Sequence, residues 1–260
     1  MKTRPVKVGT FQIGAKKILI IAGPCAVESE KQMDSIATSL KNLGINFLRA
    51  GAFKPRSGPH SFQGLGEKGL EILSKTAKKH NLRTVTEVLD PRDVELVATH
   101  TDILQIGARN MQNYALLKEV GKTQKPVILK RGLCATVEEF LLAAEYIFSK
   151  GNKKIILCER GIRTFEKDVR NTLALATVPR VKELSHLPII VDPSHGTGQP
   201  SLIPAMSKAA IACGADGLMI EVHPNPKKAL SDGKQSLTPI EFKKLLQEIK
   251  PIAKAVGKTT

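Results

Sequence analysis

The sequence predicts a single (β/α)8 TIM barrel with a short N-terminal β-hairpin closing one end, and three observations carry that prediction. Eight short apolar runs recur along the chain, at residues 18–22, 47–50, 83–88, 103–106, 126–129, 154–157, 188–191 and 217–220. They are rich in β-branched residues and run continuously rather than alternating, as strands buried on both faces do. Helical patterns fill the intervals, among them residues 30–43, 70–80, 114–120, 137–150 and 203–213. Buried strands alternating with helices imply a parallel sheet with right-handed crossovers. Eight units in about 240 residues suit the closed barrel rather than an open doubly wound sheet, and no Gly-x-Gly-x-x-Gly follows the first strand.

Taken in order, residues 1–16 carry Val6-Lys-Val-Gly and Phe11-Gln-Ile-Gly, an alternating pair that reads as a hairpin. Residues 17–260 then form the barrel, with no linker or low-complexity segment to divide it. Thr136 and Glu139 stand three apart, the spacing of a capping box at a helix start. Residues 239–256 supply the eighth helix, followed by Gly-Lys-Thr-Thr. The stretch from Pro188 to Gly198 shows the design most clearly: a buried strand ends in Asp192-Pro-Ser and presents His195 among small residues.

Lys and Arg number 40 against 24 Asp and Glu, a formal net charge of +16. Such an excess suggests a polyanion partner, but Trp 0, Tyr 2 and Phe 8 leave little for stacking on bases. No nucleic-acid partner is expected, and anionic small molecules fit better. Cys25, Cys134, Cys158 and Cys213 lie far apart, which is no disulfide framework and suits a reducing cytoplasm. No apolar stretch approaches the ~20 residues of a membrane span.

Chemistry in such barrels is built at the C-terminal ends of the strands. Because the eighth strand closes on the first, the seventh, eighth and first strands should bring Cys25, His195, Glu221 and Asp232 to one side of the mouth. A thiolate, an imidazole and two carboxylates form a mixed set for Mn, Fe, Co or Zn. The same residues also admit a plain structural reading, with Cys25 as a small buried hydrophobe and His195 as a hydrogen-bonded core residue. Opposite them, Arg49, Lys54, Arg56, Arg109, Lys130, Arg160 and Arg163 end apolar strands. Too few carboxylates stand nearby in sequence to pair so many cations, so bound anions, more than one phosphate, are expected. Strand alternation turns Lys130 inward with Ile128 and Arg131 to the other face. The polar loop of residues 57–66 is placed to act as a lid.

Several of these strings together resemble a known family. Gly23-Pro-Cys25, Lys54-Pro-Arg56-Ser57, Ser61-Phe-Gln-Gly-Leu-Gly66, Ile106-Gly-Ala-Arg109-Asn110, Asp192-Pro-Ser-His195 and Glu221-Val-His223-Pro resemble the type I beta-subgroup 3-deoxy-D-arabino-heptulosonate 7-phosphate (DAHP) synthases. The resemblance implies a divalent metal held by Cys25, His195, Glu221 and Asp232, and condensation of phosphoenolpyruvate with erythrose 4-phosphate. It further implies that Arg109, Lys130 and Arg160 take the phosphoenolpyruvate phosphate, with Arg49 and Lys54 near its carboxylate. Arg56, Ser57 and Arg163 would serve the aldose phosphate, Pro55 and Ala108 would line the substrates, and Lys54 would act as general acid. The related KDO 8-phosphate synthases, which use arabinose 5-phosphate, typically carry Asn where this chain has Pro55. A homotetramer is also implied. Feedback in this family usually needs an added domain, and only about 17 residues precede the first barrel strand, so insensitivity to phenylalanine, tyrosine and tryptophan is expected.

Overall fold

The computed structural model describes residues 1–56 and 58–260. Strands β1 (Val6–Val8) and β2 (Phe11–Ile13) form an antiparallel pair. Eight parallel strands then close on themselves: β3 (Leu19–Gly23), β4 (Phe47–Arg49), β5 (Arg83–Glu87), β6 (Ile103–Ile106), β7 (Val127–Lys130), β8 (Ile155–Glu159), β9 (Ile189–Val191) and β10 (Gly217–Glu221). Each pairs with the next in sequence, and β10 returns to β3 with Gly217 opposite Leu19 and Glu221 opposite Gly23.

Around the barrel stand α1 (Glu30–Asn42), α2 (Glu67–Lys79), α3 (Val94–His100), α4 (Tyr114–Lys122), α5 (Val137–Phe148), α6 (Thr177–Leu184), α8 (Ile203–Ala212) and α9 (Pro239–Ala255). The one-turn helix α7 (Pro193–Thr197) lies at the mouth. The capping box of α5 forms as its spacing predicts, Thr136 accepting from Glu139 N and Glu139 accepting from Thr136 N. Helix α9 starts the same way, on Thr238 and Glu241. Helices α3, α6 and α7 carry no period long enough to read in the sequence. They are 7, 8 and 5 residues long, too short for an apolar period to stand out, and packing rather than propensity holds such segments.

The two-residue period of each strand divides the interior into a floor and a rim. Leu19, Ile21, Phe47, Val85, Ile103, Ile128, Ile156, Ile190 and Met219 point inward and pack as one apolar cluster. Val6, Val8 and Ile13 of the hairpin join that cluster, and Phe11 meets Phe47 edge-on at 5.1 Å between ring centres. The hairpin therefore plugs the N-terminal end. Alternate residues such as Leu48, Leu104, Leu129, Leu157 and Ile220 pack outward against the helices.

One step beyond the floor, the same inward phase turns polar: Arg49, Glu87, Gln105, Lys130, Arg160, Asp192 and Glu221, all buried. Arg131 leaves that phase, as alternation requires. Its guanidinium packs behind the wall against Glu159 Oε2 at 2.8 Å, Thr177 Oγ1 at 2.8 Å and the Ala135 carbonyl at 2.9 Å. Both side chains of that pair are nearly sealed from water. Replacing Arg131 by Met would strand the Glu159 carboxylate, and breaking a buried pair in this way costs about 3–5 kcal/mol. Arg131→Met is expected to lower the urea midpoint accordingly; an unchanged midpoint would show that water reaches the pair.

Candidate active site at the barrel mouth

Closure of the barrel assembles the first half of the site. Sγ of Cys25, a ring nitrogen of His195 and one carboxylate oxygen each from Glu221 and Asp232 all lie within 4.8 Å of one another. Cys25 Sγ is 3.1 Å from Asp232 Oδ2, and His195 Nε2 is 3.4 Å from Glu221 Oε1 and 3.9 Å from Asp232 Oδ2. Metal bonds of ~2.0–2.3 Å to nitrogen, oxygen and sulfur place donors of one ion roughly 3–4.5 Å apart. The donor set therefore fits a borderline divalent metal in both spacing and chemistry.

The imidazole is set by Asp192, which caps α7. Its Oδ1 accepts from His195 N at 3.0 Å, while Oδ2 stands 2.8 Å from Nδ1. A ring whose Nδ1–H donates to a carboxylate presents an Nε2 lone pair to its other side, here toward Glu221 and Asp232. Burial pushes the His195 pKa below its usual value against the pull of Asp192 and Glu221. Only the neutral ring can ligate a metal. Burial, followed by the Glu221 charge, pushes the Cys25 thiol up to about 12. A coordinating cation would displace that proton. Burial opposes ionisation of Asp232, yet His195 and Arg170 bring it down to about 2.

The second half is cationic. A cleft at the mouth is lined by Arg49, Lys54, Pro55, Arg56, Ala108, Arg109, Lys130, Arg160 and Arg170, together with Glu87, Gln105, Gly107, His195 and Asp232. The expectation that these cations lack carboxylates needs correcting. Arg49 Nη1 lies 2.6 Å from Glu221 Oε1, and Lys130 Nζ lies 2.6 Å from Asp192 Oδ2. The partners come from strands remote in sequence, which is why they escaped notice. Arg49 and Lys54 also stand nearer the candidate ligands than expected, Lys54 Nζ bonding the Cys25 carbonyl at 2.9 Å and Sγ at 3.0 Å.

Arg160 differs from those pairs. It is 5% exposed and its Nη1 has no hydrogen-bond partner among the described residues. Desolvation lowers its pKa despite the nearby Asp192. A buried guanidinium nitrogen without a partner, on a residue that lines a cleft, suits the binding of an anion.

Among the other expected residues, Arg56 bonds Ser231 Oγ at 2.8 Å. Arg163 is exposed and does not line the cleft; Arg170, seven residues on, does, and bonds Gln235. Ser57 lies outside the described residues. Arg170, Gln235 and Ser231 went unnoticed because they sit in loops, where no period marks an inward face. In the segment expected to act as a lid, Gln63 and Gly66 are tied to the chain before it: Lys54 N donates to the Gln63 carbonyl at 2.9 Å and Gly66 N to the Ala52 carbonyl at 3.0 Å. No helix among the described residues is long and apolar enough to cross a membrane.

A barrel that gathers donors for a cation on one side of its mouth and guanidinium groups on the other defines an enzyme for phosphorylated or carboxylated small molecules. Within that class, the chain belongs to the DAHP synthetase I family, which it matches over residues 4–255. It is 56% identical over 252 residues to a phospho-2-dehydro-3-deoxyheptonate aldolase of Thermotoga maritima, covering 97% of this chain and 75% of that one. The crystal structure of a Thermotoga maritima DAHP synthase superposes with a TM-score of 0.96 at 54% identity, over 99% of this chain and 76% of that one. A 2-dehydro-3-deoxyphosphooctonate aldolase of Francisella tularensis is 35% identical over 280 residues, 98% of this chain and 99% of that one.

The unpaired state of Arg160 yields a two-part expectation. Arg160→Met removes a desolvated charge with no partner to strand, so thermal stability should hold or rise. Binding of phosphoenolpyruvate, followed calorimetrically, should weaken by about 1.5–3 kcal/mol for a lost charged hydrogen bond. Loss of stability with unchanged binding would mean that Arg160 is structural.

Proposed function

We propose that the chain is a DAHP synthase, condensing phosphoenolpyruvate with erythrose 4-phosphate to give DAHP and inorganic phosphate. The observation that carries this reading is the 56% identity to the Thermotoga heptonate enzyme across nearly the whole chain, against 35% to the octonate enzyme. Pro55, in the string Lys54-Pro-Arg56-Ser57, agrees with it.

In this reading Arg109, Lys130 and Arg160 hold the phosphoenolpyruvate phosphate, and Arg160 Nη1 gains the partner it lacks. Arg49 and Lys54 stand beside its carboxylate, and Arg56 holds the aldose phosphate at the rim. A divalent metal on Cys25, His195, Glu221 and Asp232 would supply Lewis-acid polarisation of the aldehyde carbonyl. Carbon 3 of phosphoenolpyruvate forms a bond to that carbonyl carbon as the enol π electrons move. Water adds at carbon 2, and phosphate leaves with cleavage of its bond to that carbon.

Lys54 suits the general acid. Burial opposes its charge, but Cys25 and Glu87 hold its pKa above the usual lysine value, so Nζ carries a proton at neutral pH. It lies between the candidate ligands and the cation row, within reach of an aldehyde oxygen facing Cys25. Asp192 keeps the Nδ1–H of His195 in place, and Glu221 is braced by Arg49 and Gln235.

Phosphate release with erythrose 4-phosphate, and far less with arabinose 5-phosphate, is the expected assay result; the reverse preference would make the chain an octonate synthase. Saturating chelator and Cys25→Ala should each abolish turnover, with added Mn, Co or Zn rescuing only the chelated wild type. Full activity in chelator would exclude the metal. Arg56→Ala should raise KM for erythrose 4-phosphate by 10-fold or more, as about 1.5–3 kcal/mol requires. If KM for phosphoenolpyruvate rises instead, Arg56 serves the other substrate.

A further inference from the structure

Glu28 belongs neither to the candidate ligand set nor to the cleft lining, yet its side chain is only 12% exposed and both carboxylate oxygens are engaged. Oε1 accepts from the Leu230 backbone N–H at 2.9 Å. Oε2 lies 3.4 Å from His223 Nε2. A third contact settles the state of that ring: the Asn225 backbone N–H donates to His223 Nδ1 at 3.0 Å. Nδ1 is therefore the acceptor, and the ring proton sits on Nε2, facing Glu28.

These contacts sit at telling places in the chain. Glu28 follows Cys25 by three residues, His223 follows Glu221 by two, and Leu230 precedes Asp232 by two. One carboxylate thus ties together the segments that carry three of the four candidate ligands. The Cys25 segment is rigid in itself. Gly51 N donates to the Cys25 carbonyl at 3.1 Å, and Val27 N donates to the Gly51 carbonyl at 2.9 Å. Gln32 closes the turn, donating to the Ala26 carbonyl at 3.1 Å and accepting from Glu28 N at 3.2 Å.

The Asp232 segment carries backbone strain. Asp232 takes a left-handed conformation at φ 51, and the next residue is a glycine whose Cβ would stand 2.1 Å from the Pro226 carbonyl oxygen. A non-glycine residue in that region persists only where its surroundings over-determine it. Contacts from a rigid neighbour supply such determination, and Glu28 makes two along the excursion that leads to Asp232, at His223 and at Leu230.

We propose that Glu28 is a positioning residue for the metal centre, setting where Asp232 stands relative to Cys25 and Glu221 through the Leu230 N–H and His223. The inference rests on the metal reading given above. Glu28 touches none of the reacting atoms, and its side chain bonds His223 and Leu230 rather than Arg109, Lys130 or Arg160. Its loss therefore loosens metal retention and spares the anion site.

The test is a Co2+ titration of the full chain after chelator treatment and removal, read by the thiolate-to-cobalt absorption of Cys25. Phosphoenolpyruvate affinity of the metal-free protein is measured alongside by calorimetry. Glu28→Ala is expected to raise the Co2+ dissociation constant about 10–100-fold, to keep the thiolate band at saturation, and to leave phosphoenolpyruvate affinity unchanged. Wild-type Co2+ affinity in the variant would overturn the proposal. A joint fall in metal affinity, phosphoenolpyruvate affinity and metal-free Tm would also overturn it, in favour of a merely structural role. If Glu28→Ala does not fold, Glu28→Gln, which keeps an acceptor for the Leu230 N–H, decides by the same titration. Absence of a thiolate band in the wild type would instead sink the metal reading itself.

Discussion

The pairing of β10 with β3 is the constraint on which the rest depends. It sets Glu221 opposite Gly23, so Cys25, two residues on, stands beside a carboxylate that is nearly 200 positions away in the chain. Gly23 makes the junction possible. Its φ is +149, and a Cβ there would lie 2.1 Å from the Arg49 carbonyl oxygen, closer than any side chain permits. With β4 drawn in this tightly, the Arg49 side chain crosses above β3 to reach Glu221. A looser closure would part the thiol, the carboxylate and the guanidinium together.

Burying so many charges is costly, and each is retained only with partners. Asp192 shows how few groups suffice. It caps α7, fixes the His195 ring and neutralises Lys130, all with two oxygens. Three contacts, from His195 and Lys130, hold its pKa well below the usual range in spite of full burial. Arg160 marks where this pairing stops. Its Nη1 is left without a hydrogen-bond partner among the described residues, a cost that a bound anion would remove.

The same strands serve stability and chemistry at different heights. The inward positions of the lower layer are apolar and sealed by the hairpin; those of the next layer are charged. A packed floor gives the polar rim a rigid base, so positions at the mouth are set by side chains that do no chemistry themselves. Glu28 and His223 extend that support into the loop that carries Asp232.

The sequence by itself determined the architecture and much of the mouth. Strand runs and helix periods are local signals, and the two-residue alternation that turns Lys130 inward and Arg131 outward is read from neighbouring residues alone. Recurrent strand-end motifs then located Cys25, His195 and Glu221. Tertiary structure decided which charges satisfy one another: Arg49 with Glu221, Lys130 with Asp192, and Arg160 Nη1 with none among the described residues. It also decided that Arg170 rather than Arg163 faces the cleft, and that Asp232 is braced from Glu28 across 202 residues of chain to Leu230. The reason is physical. Periodicity reports only which face of an element a residue occupies, whereas ion pairing and loop placement depend on distances that exist only once the barrel has closed.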